Sequence, residues 1–157
     1  MPTKRYIKYM KTKWSHENKG CAMQFGAELQ NTFYQAGSIV VPATGNQGSR
    51  TVGNWAITVP VPQDKQYFWA LVFVPQGTTA NNLFNTTGGL EGSLYEPNQF
   101  VIASGVADGN AGPIRIRSKM KRTLQSNDFI SLIIACQDAD VAQTYAQALV
   151  SYSIKYN

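Results

Sequence analysis

Four cations, Arg115, Arg117, Lys119 and Lys121, stand at every second position of PIRIRSKMKR, with Ile114, Ile116, Ser118 and Met120 between them and Arg122 closing the run. In an extended chain successive side chains point to opposite faces, so all four cations project from one side. Guanidinium and ammonium groups in such a row are anion receptors, suited to phosphates or carboxylates. Like charges along a strand also repel one another. Three surroundings accommodate them: a nucleic acid, a solvated face whose lysines discourage edge pairing, or a subunit contact with a neighbour's acids.

A second basic segment opens the chain. MPTKRYIKYMKTKW interleaves Lys4, Arg5, Lys8, Lys11 and Lys13 with Tyr6, Tyr9 and Trp14. Cations displace counterions from phosphates and aromatic rings stack on unpaired bases, so the mixture suits single-stranded nucleic acid. A solvated basic tail or a lysine-protected edge strand is the alternative. The first twenty residues carry six cations against Glu17 alone, a net of +5, which is the charge of the whole chain; the remaining 137 of its 157 residues sum to zero. Within that neutral body, Arg115 to Arg122 is the other dense basic cluster. Only 15% of residues are charged, against about 25% in ordinary soluble domains, and a surface so poor in charge favours association.

The residues that catalysis needs are sparse. His16 is the single histidine and lies in the basic terminal region, which removes the usual Ser/His/Asp and Cys/His arrangements and any multi-histidine metal site. The nine acids are scattered; Asp138 and Asp140 are the closest pair and read as solvated turn acids. TTGGLEG lacks the GK[ST] ending of a phosphate loop. The expectation is a protein that is not an enzyme, with no cofactor and no metal. Cys21 and Cys136, 115 positions apart in apolar alternating runs, read as buried thiols. No apolar run reaches the ~18 residues of a membrane span, and no apolar core of a secretory signal follows the basic start, so no membrane partner is expected.

The elements that must position these cations are short strands. Cys21, Met23, Phe25, Ala27 and Leu29 alternate with polar or small residues; Trp55, Ile57, Val59 and Val61 share a face; YFWALVFV (67–74) is apolar on both faces, as in a strand covered on both sides. FVIASGVA (100–107), the basic run, DFISLIIAC (128–136) and AQALVSYSIKYN (146–157) follow, separated by Gly/Asn/Pro-rich connectors. A helix competes over 138–149, but the longer period-two pattern predicts a strand from about Thr144. Seven such segments and no long helix mean an all-β sandwich or barrel. The eighth strand of a jelly roll is expected in a weak segment, either Tyr6 to Trp14 or the residues around Leu124.

At FWALVFVPQGTTANNLF, and again at GSLYEPNQFVIASGVADGNAGPIRIRSKMKRTLQSNDFISLII, the chain resembles the capsid proteins of small circular Rep-encoding single-stranded DNA viruses, the circovirus-like group. The resemblance covers roughly Asn54 to Ile134. It implies a single eight-stranded jelly-roll β-sandwich (20–157) behind a short basic N-terminal arm (1–19). Sixty copies would close an icosahedral T=1 shell around circular single-stranded DNA, or RNA when the protein is expressed alone. The virion, and the host nucleus or cytoplasm during assembly, would be its places. On this mapping the first strand is Ala22 to Leu29, and the long segment from Pro75 to Asn98 shapes the shell surface or a subunit contact. Lys4, Arg5, Lys8, Lys11, Lys13, Arg115, Arg117, Lys119, Lys121 and Arg122 would be the nucleic-acid contacts. The group commonly carries a long arginine-rich arm; here it is lysine-rich with a single arginine, so the arm alone is insufficient for a genome's phosphates. A small single-stranded nucleic-acid-binding β-barrel that forms no shell is the alternative.

Overall fold

The computed structural model describes residues 14–26, 28–29, 33–45, 48–77, 84–85, 93–94, 101–136, 138–142 and 144–157. The candidate contacts Lys4, Arg5, Lys8, Lys11 and Lys13 lie outside them, as does most of the 75–98 segment. In chain order the strands are β1 (Ser15–Gln24), β2 (Glu28–Leu29), β3 (Phe33–Val41), β4 (Arg50–Val59), β5 (Gln66–Val74), β6 (Phe84–Asn85), β7 (Ser93–Leu94), β8 (Val101–Asp108), β9 (Ile114–Ser118), β10 (Arg122–Leu124), β11 (Phe129–Cys136) and β12 (Tyr145–Tyr156). The only helical pieces among the described residues are two 3₁₀ turns, Gly109–Ala111 and Ala139–Val141.

Two five-stranded antiparallel sheets face each other. One runs β1, β12, β4, with β9 and β10 sharing the far side of β4; the other runs β2, β3, β11, β5, β8. The long strands pair in a nested order: β1 with β12, β3 with β11, β4 with β9 and β10, β5 with β8. First meets last, second meets second-last, and so inward, which is a long hairpin rolled into a sandwich, the jelly roll. Strands of three residues or more number nine rather than the expected eight, because the strand facing β4 is broken in two.

The break is a mismatch in residue count. Ser118 pairs with Trp55 and Arg122 with Val52, so three residues, Lys119 to Lys121, stand against two, Gly53 and Asn54. On the other side of β4, Ser151 pairs with Ala56 and Ser153 with Gly53, leaving Tyr152 opposite two residues. This bulge is housed at Asn54, whose φ of 54° lies in the left-handed region that asparagine tolerates better than most residues.

Two expectations are corrected. The short strand expected around Leu124 is present as β10, but as the second half of the strand begun by β9, and the eighth full strand is β3, which the polar and small centre Gln35 to Ser38 hides from a reading by alternation. The first strand starts at Ser15 and ends at Gln24 rather than running from Ala22 to Leu29, so Ser15 to Lys19, expected in the arm, belong to the sheet. The strand prediction near the C-terminus holds from Tyr145.

The core lies between the sheets. Trp55, Ile57 and Val59 of β4, Ile114 and Ile116 of β9 and Ala148 and Val150 of β12 pack in one cluster with Leu71 and Phe73 of β5 and Leu132 and Ile134 of β11. The expected double burial of β5 is present: Ala70, Val72 and Val74 form a second cluster with Ile133 and Ala135. Cys21 and Cys136 are free, buried thiols. Ile116 is fully buried whereas its neighbour Arg115 is exposed. Ile116→Ala is therefore expected to cost about 2–5 kcal/mol in denaturant unfolding, and Arg115→Ala no more than about 0.5. Equal losses would contradict the orientation of β9.

Candidate nucleic-acid interface

The isoleucines of β9 anchor in the core, so Arg115 and Arg117 are forced outward, opposite Thr58 and Ala56 on the solvent face of the β1-β12-β4 sheet. Arg117 folds one guanidinium nitrogen back onto the carbonyl of Ile116 at 3.2 Å, and a shallow cleft of about 350 Å³ lies beside it, lined by Asn54, Trp55, Ser118 and Lys119. Two unit charges ~7 Å apart in water repel by only about 0.6 kcal/mol. The ladder therefore folds without needing a partner, and its meaning rests on what shares its face.

Lys121 extends that face. Its aliphatic stem runs over Gly53, where an added Cβ would sit 2.8 Å from Lys121 Cγ and 3.3 Å from the Met120 carbonyl. Its ammonium lies 5.2 Å from the centre of the Trp14 ring. Lys155, on β12 opposite Thr51, brings a second ammonium to 5.2 Å from the same ring. Lys119 is exposed in the link between β9 and β10. His16, paired with Ser153 across β1 and β12, bonds through Nδ1 to the Ser153 hydroxyl at 3.1 Å.

No acid shares this face among the described residues. Glu17 has the opposite parity on β1, pairs with Tyr152 and accepts its hydroxyl proton at 2.6 Å. That hydroxyl is pushed well above the usual tyrosine range, first by burial and then by the Glu17 bond. Arg122 departs from the expected set. It has the parity of Ile114 and Ile116, so it takes the inward side, pairs with Val52 and lays its guanidinium 4.2 Å over the Phe73 ring of the opposite sheet. It is a packing cation. Lys121 thus meets Trp14 together with Lys155, a cation absent from the expected set, and Arg115 and Arg117 lie on the same sheet face. Parity along β12 was the available signal, since Lys155 alternates with the buried Ile154 side.

The remaining charge gathers elsewhere. Lys65, ahead of β5, donates to Asp138 at 2.8 Å and Asp140 at 3.2 Å, so these acids, solvated at a turn as expected, also share a cation. A cleft of about 820 Å³ adjoins them, lined by Asp64, Tyr67, Asp108 and Cys136 among others. Its polar groups are largely engaged within the fold: Tyr67 donates to the Pro62 carbonyl at 2.8 Å and Asp108 accepts from the Asn110 amide at 3.0 Å. Burial pushes the Tyr67 hydroxyl and the Cys136 thiol up. Among the described residues no group of three or more His, Cys, Asp or Glu side chains is placed to hold a metal ion.

With this geometry in place, comparison with known proteins adds no identity: no family model matches the chain, and no curated protein matches it.

A stacked cation on an exposed ring is worth about 0.5–1 kcal/mol, whereas an unpaired base on an aromatic ring is worth about 1–3 kcal/mol. On these magnitudes a base would displace an ammonium from Trp14 at a gain, freeing a lysine for a phosphate. The face combines cations of a kind suited to phosphate with an aromatic surface, the two features that single-strand contact uses.

The acidic end provides a pH test. The Lys65 ammonium, followed by the Asp140 amide, holds the Asp138 carboxyl below the usual carboxylate range, and Asp138 holds Lys65 above the usual lysine range. The pair is fully formed above the ordinary aspartate range and below the ordinary lysine range, and it is lost as pH falls through the lowered Asp138 value. An NMR titration of Asp138 is expected to shift upward in Lys65→Met. An unmoved midpoint would contradict the pairing.

Proposed function

We propose that the protein is a viral coat subunit that assembles into a small icosahedral, sixty-subunit shell around circular single-stranded DNA, as the resemblance in its sequence implies. The observation that carries this reading is a jelly roll with one sheet face bearing Arg115, Arg117, Lys121 and Lys155 and no acid among the described residues. A jelly roll by itself serves lectins and cupins as well as capsids. The basic face narrows that range to a partner rich in phosphate.

Self-association is supported by the edges of the sheets. An unpaired strand edge is a template for another chain, and charges, breaks or shortness blunt it. β1 carries His16, Glu17 and Lys19, the β9 and β10 edge is broken and basic, and β2 has only two residues. Among the described residues β8 pairs on one side only, and Val101 to Ala107 contain no charge, with Val106 75% exposed. Low charge overall and one unblunted edge favour contact between copies. In this reading the basic face turns inward, the virion is the working location, and the host nucleus or cytoplasm is the place of assembly.

Two variants separate the roles of the two basic elements. Arg115→Gln with Arg117→Gln is expected to leave particles intact by light scattering while lowering their ratio of absorbance at 260 to 280 nm. Loss of the particles themselves would instead place the ladder at a subunit contact. Neutral residues at Lys4, Arg5, Lys8, Lys11 and Lys13 are likewise expected to lower the ratio without loss of particles, and an unchanged ratio would remove the arm from nucleic-acid binding. A protein that stays monomeric across salt and pH yet binds oligonucleotides would favour the single-strand-binding alternative.

A further inference from the structure

Trp14 is half-buried at the head of β1, and two cations from distant parts of the chain converge on its ring: Lys121 from the link between β9 and β10, and Lys155 from β12, each 5.2 Å from its centre. Lys121 is held there by its stem, which lies against Gly53 closely enough that no side chain fits beneath it. Two like charges focused on one aromatic ring, on a face without acids among the described residues, make a site for something that is both anionic and flat.

We propose that Trp14 is a stacking platform for one unpaired nucleobase, with Lys121 and Lys155 taking the flanking phosphates, so that this corner of the sheet selects single-stranded over duplex nucleic acid. The inference rests on the nucleic-acid part of the function proposed above and names the residues that discriminate. A base inside a duplex has both faces covered by its stacked neighbours and cannot reach the ring. The lysine charges meet phosphates of either form. Discrimination therefore belongs to Trp14, and general salt-sensitive affinity to the lysines. No base edge is read, so the site is indifferent to sequence.

The other two tryptophans lie elsewhere in the fold. Trp55 is buried at 2% exposure, and Trp69 packs against Gly105 of β8. Binding of a short oligo(dT) to the full-length protein is expected to quench tryptophan fluorescence, and the quench is expected to vanish in Trp14→Leu. By fluorescence anisotropy, Trp14→Leu is expected to weaken oligo(dT) binding by roughly 5- to 100-fold and to leave a duplex of equal length unaffected, with Trp14→Phe restoring most of the loss. Lys121→Met with Lys155→Met is expected to weaken both ligands alike and to lower the salt dependence of binding. An equal loss for single strand and duplex in Trp14→Leu, or no loss for either, overturns the platform. Should Trp14→Leu fail to fold, as judged by circular dichroism, the wild-type quench and the Trp14→Phe affinities decide: an unquenched wild type overturns it. Particle formation is scored separately by light scattering. Trp14-dependent binding without particles defeats the shell and not the platform; particles whose oligo(dT) binding ignores Trp14 defeat the platform and not the shell.

Discussion

The pairing of β1 with β12 over ten residues, from Ser15 opposite Ile154 to Gln24 opposite Tyr145, is the contact on which the rest depends. It joins the start of the described chain to its end and closes the outer turn of the roll. A pairing between segments so far apart in the chain is entropically slow to find. Once made, it sets the parity of both strands together: Cys21 and Met23 with Ala148 and Ala146 face the core, and His16, exposed on the opposite face, covers the buried Ser153 that it pairs with. The same closure carries Trp14 to Lys155. Neither residue alone is a site. Their meeting is a product of topology, as is the arrival of Lys121 from the middle of the chain.

A second constraint is the count mismatch around β4. A strict ladder keeps alternation in phase from end to end, and one extra residue reverses it. At Asn54 β4 reverses its alternation, so that Trp55 and Val52 both face inward, and the three residues from Lys119 to Lys121 opposite it keep β9 and β10 in one phase along their shared neighbour. Arg115 and Arg117 stay on the solvent face, Lys121 is laid across Gly53, and Arg122 is turned onto Phe73 between the sheets. The basic run is divided between cations on the solvent face and one cation, Arg122, that helps hold the two sheets together.

This division marks the limit of what the amino-acid order discloses. Strands such as β4, β9 and β12 are legible because large apolar residues at every second position can share a buried face only in an extended chain. From them the all-β class and the outward pointing of Arg115 and Arg117 follow. β3 is not legible in the same way: Gln35, Gly37 and Ser38 dilute its pattern, and its place is secured by partners on β11 almost a hundred residues away. Arg122 was legible by alternation, since it shares the parity of Ile114 and Ile116, but its charge grouped it with the outward cations. Lys155 was open to reading from the parity of β12, but nothing local ties it to Trp14. Lys65 with Asp138 and Asp140 is of the same kind, an ion pair spanning more than seventy residues of chain.

Charge arithmetic joins the two basic elements. Residues 1–14 supply the net charge of the chain, while the remainder is neutral overall but sorts its charges, with acids beside Lys65 and cations on the β1-β12-β4 face. A body that sorts charge in this way can meet other copies through uncharged edges while offering phosphates a separate surface. The most direct test is an electron-microscopic reconstruction of the purified protein with its bound nucleic acid. The expected result is a closed shell of sixty subunits with the face bearing Trp14, Arg115, Arg117, Lys121 and Lys155 turned to the interior and in contact with nucleic-acid density. A shell with that face on the outside, or a protein that remains a monomer, would contradict it.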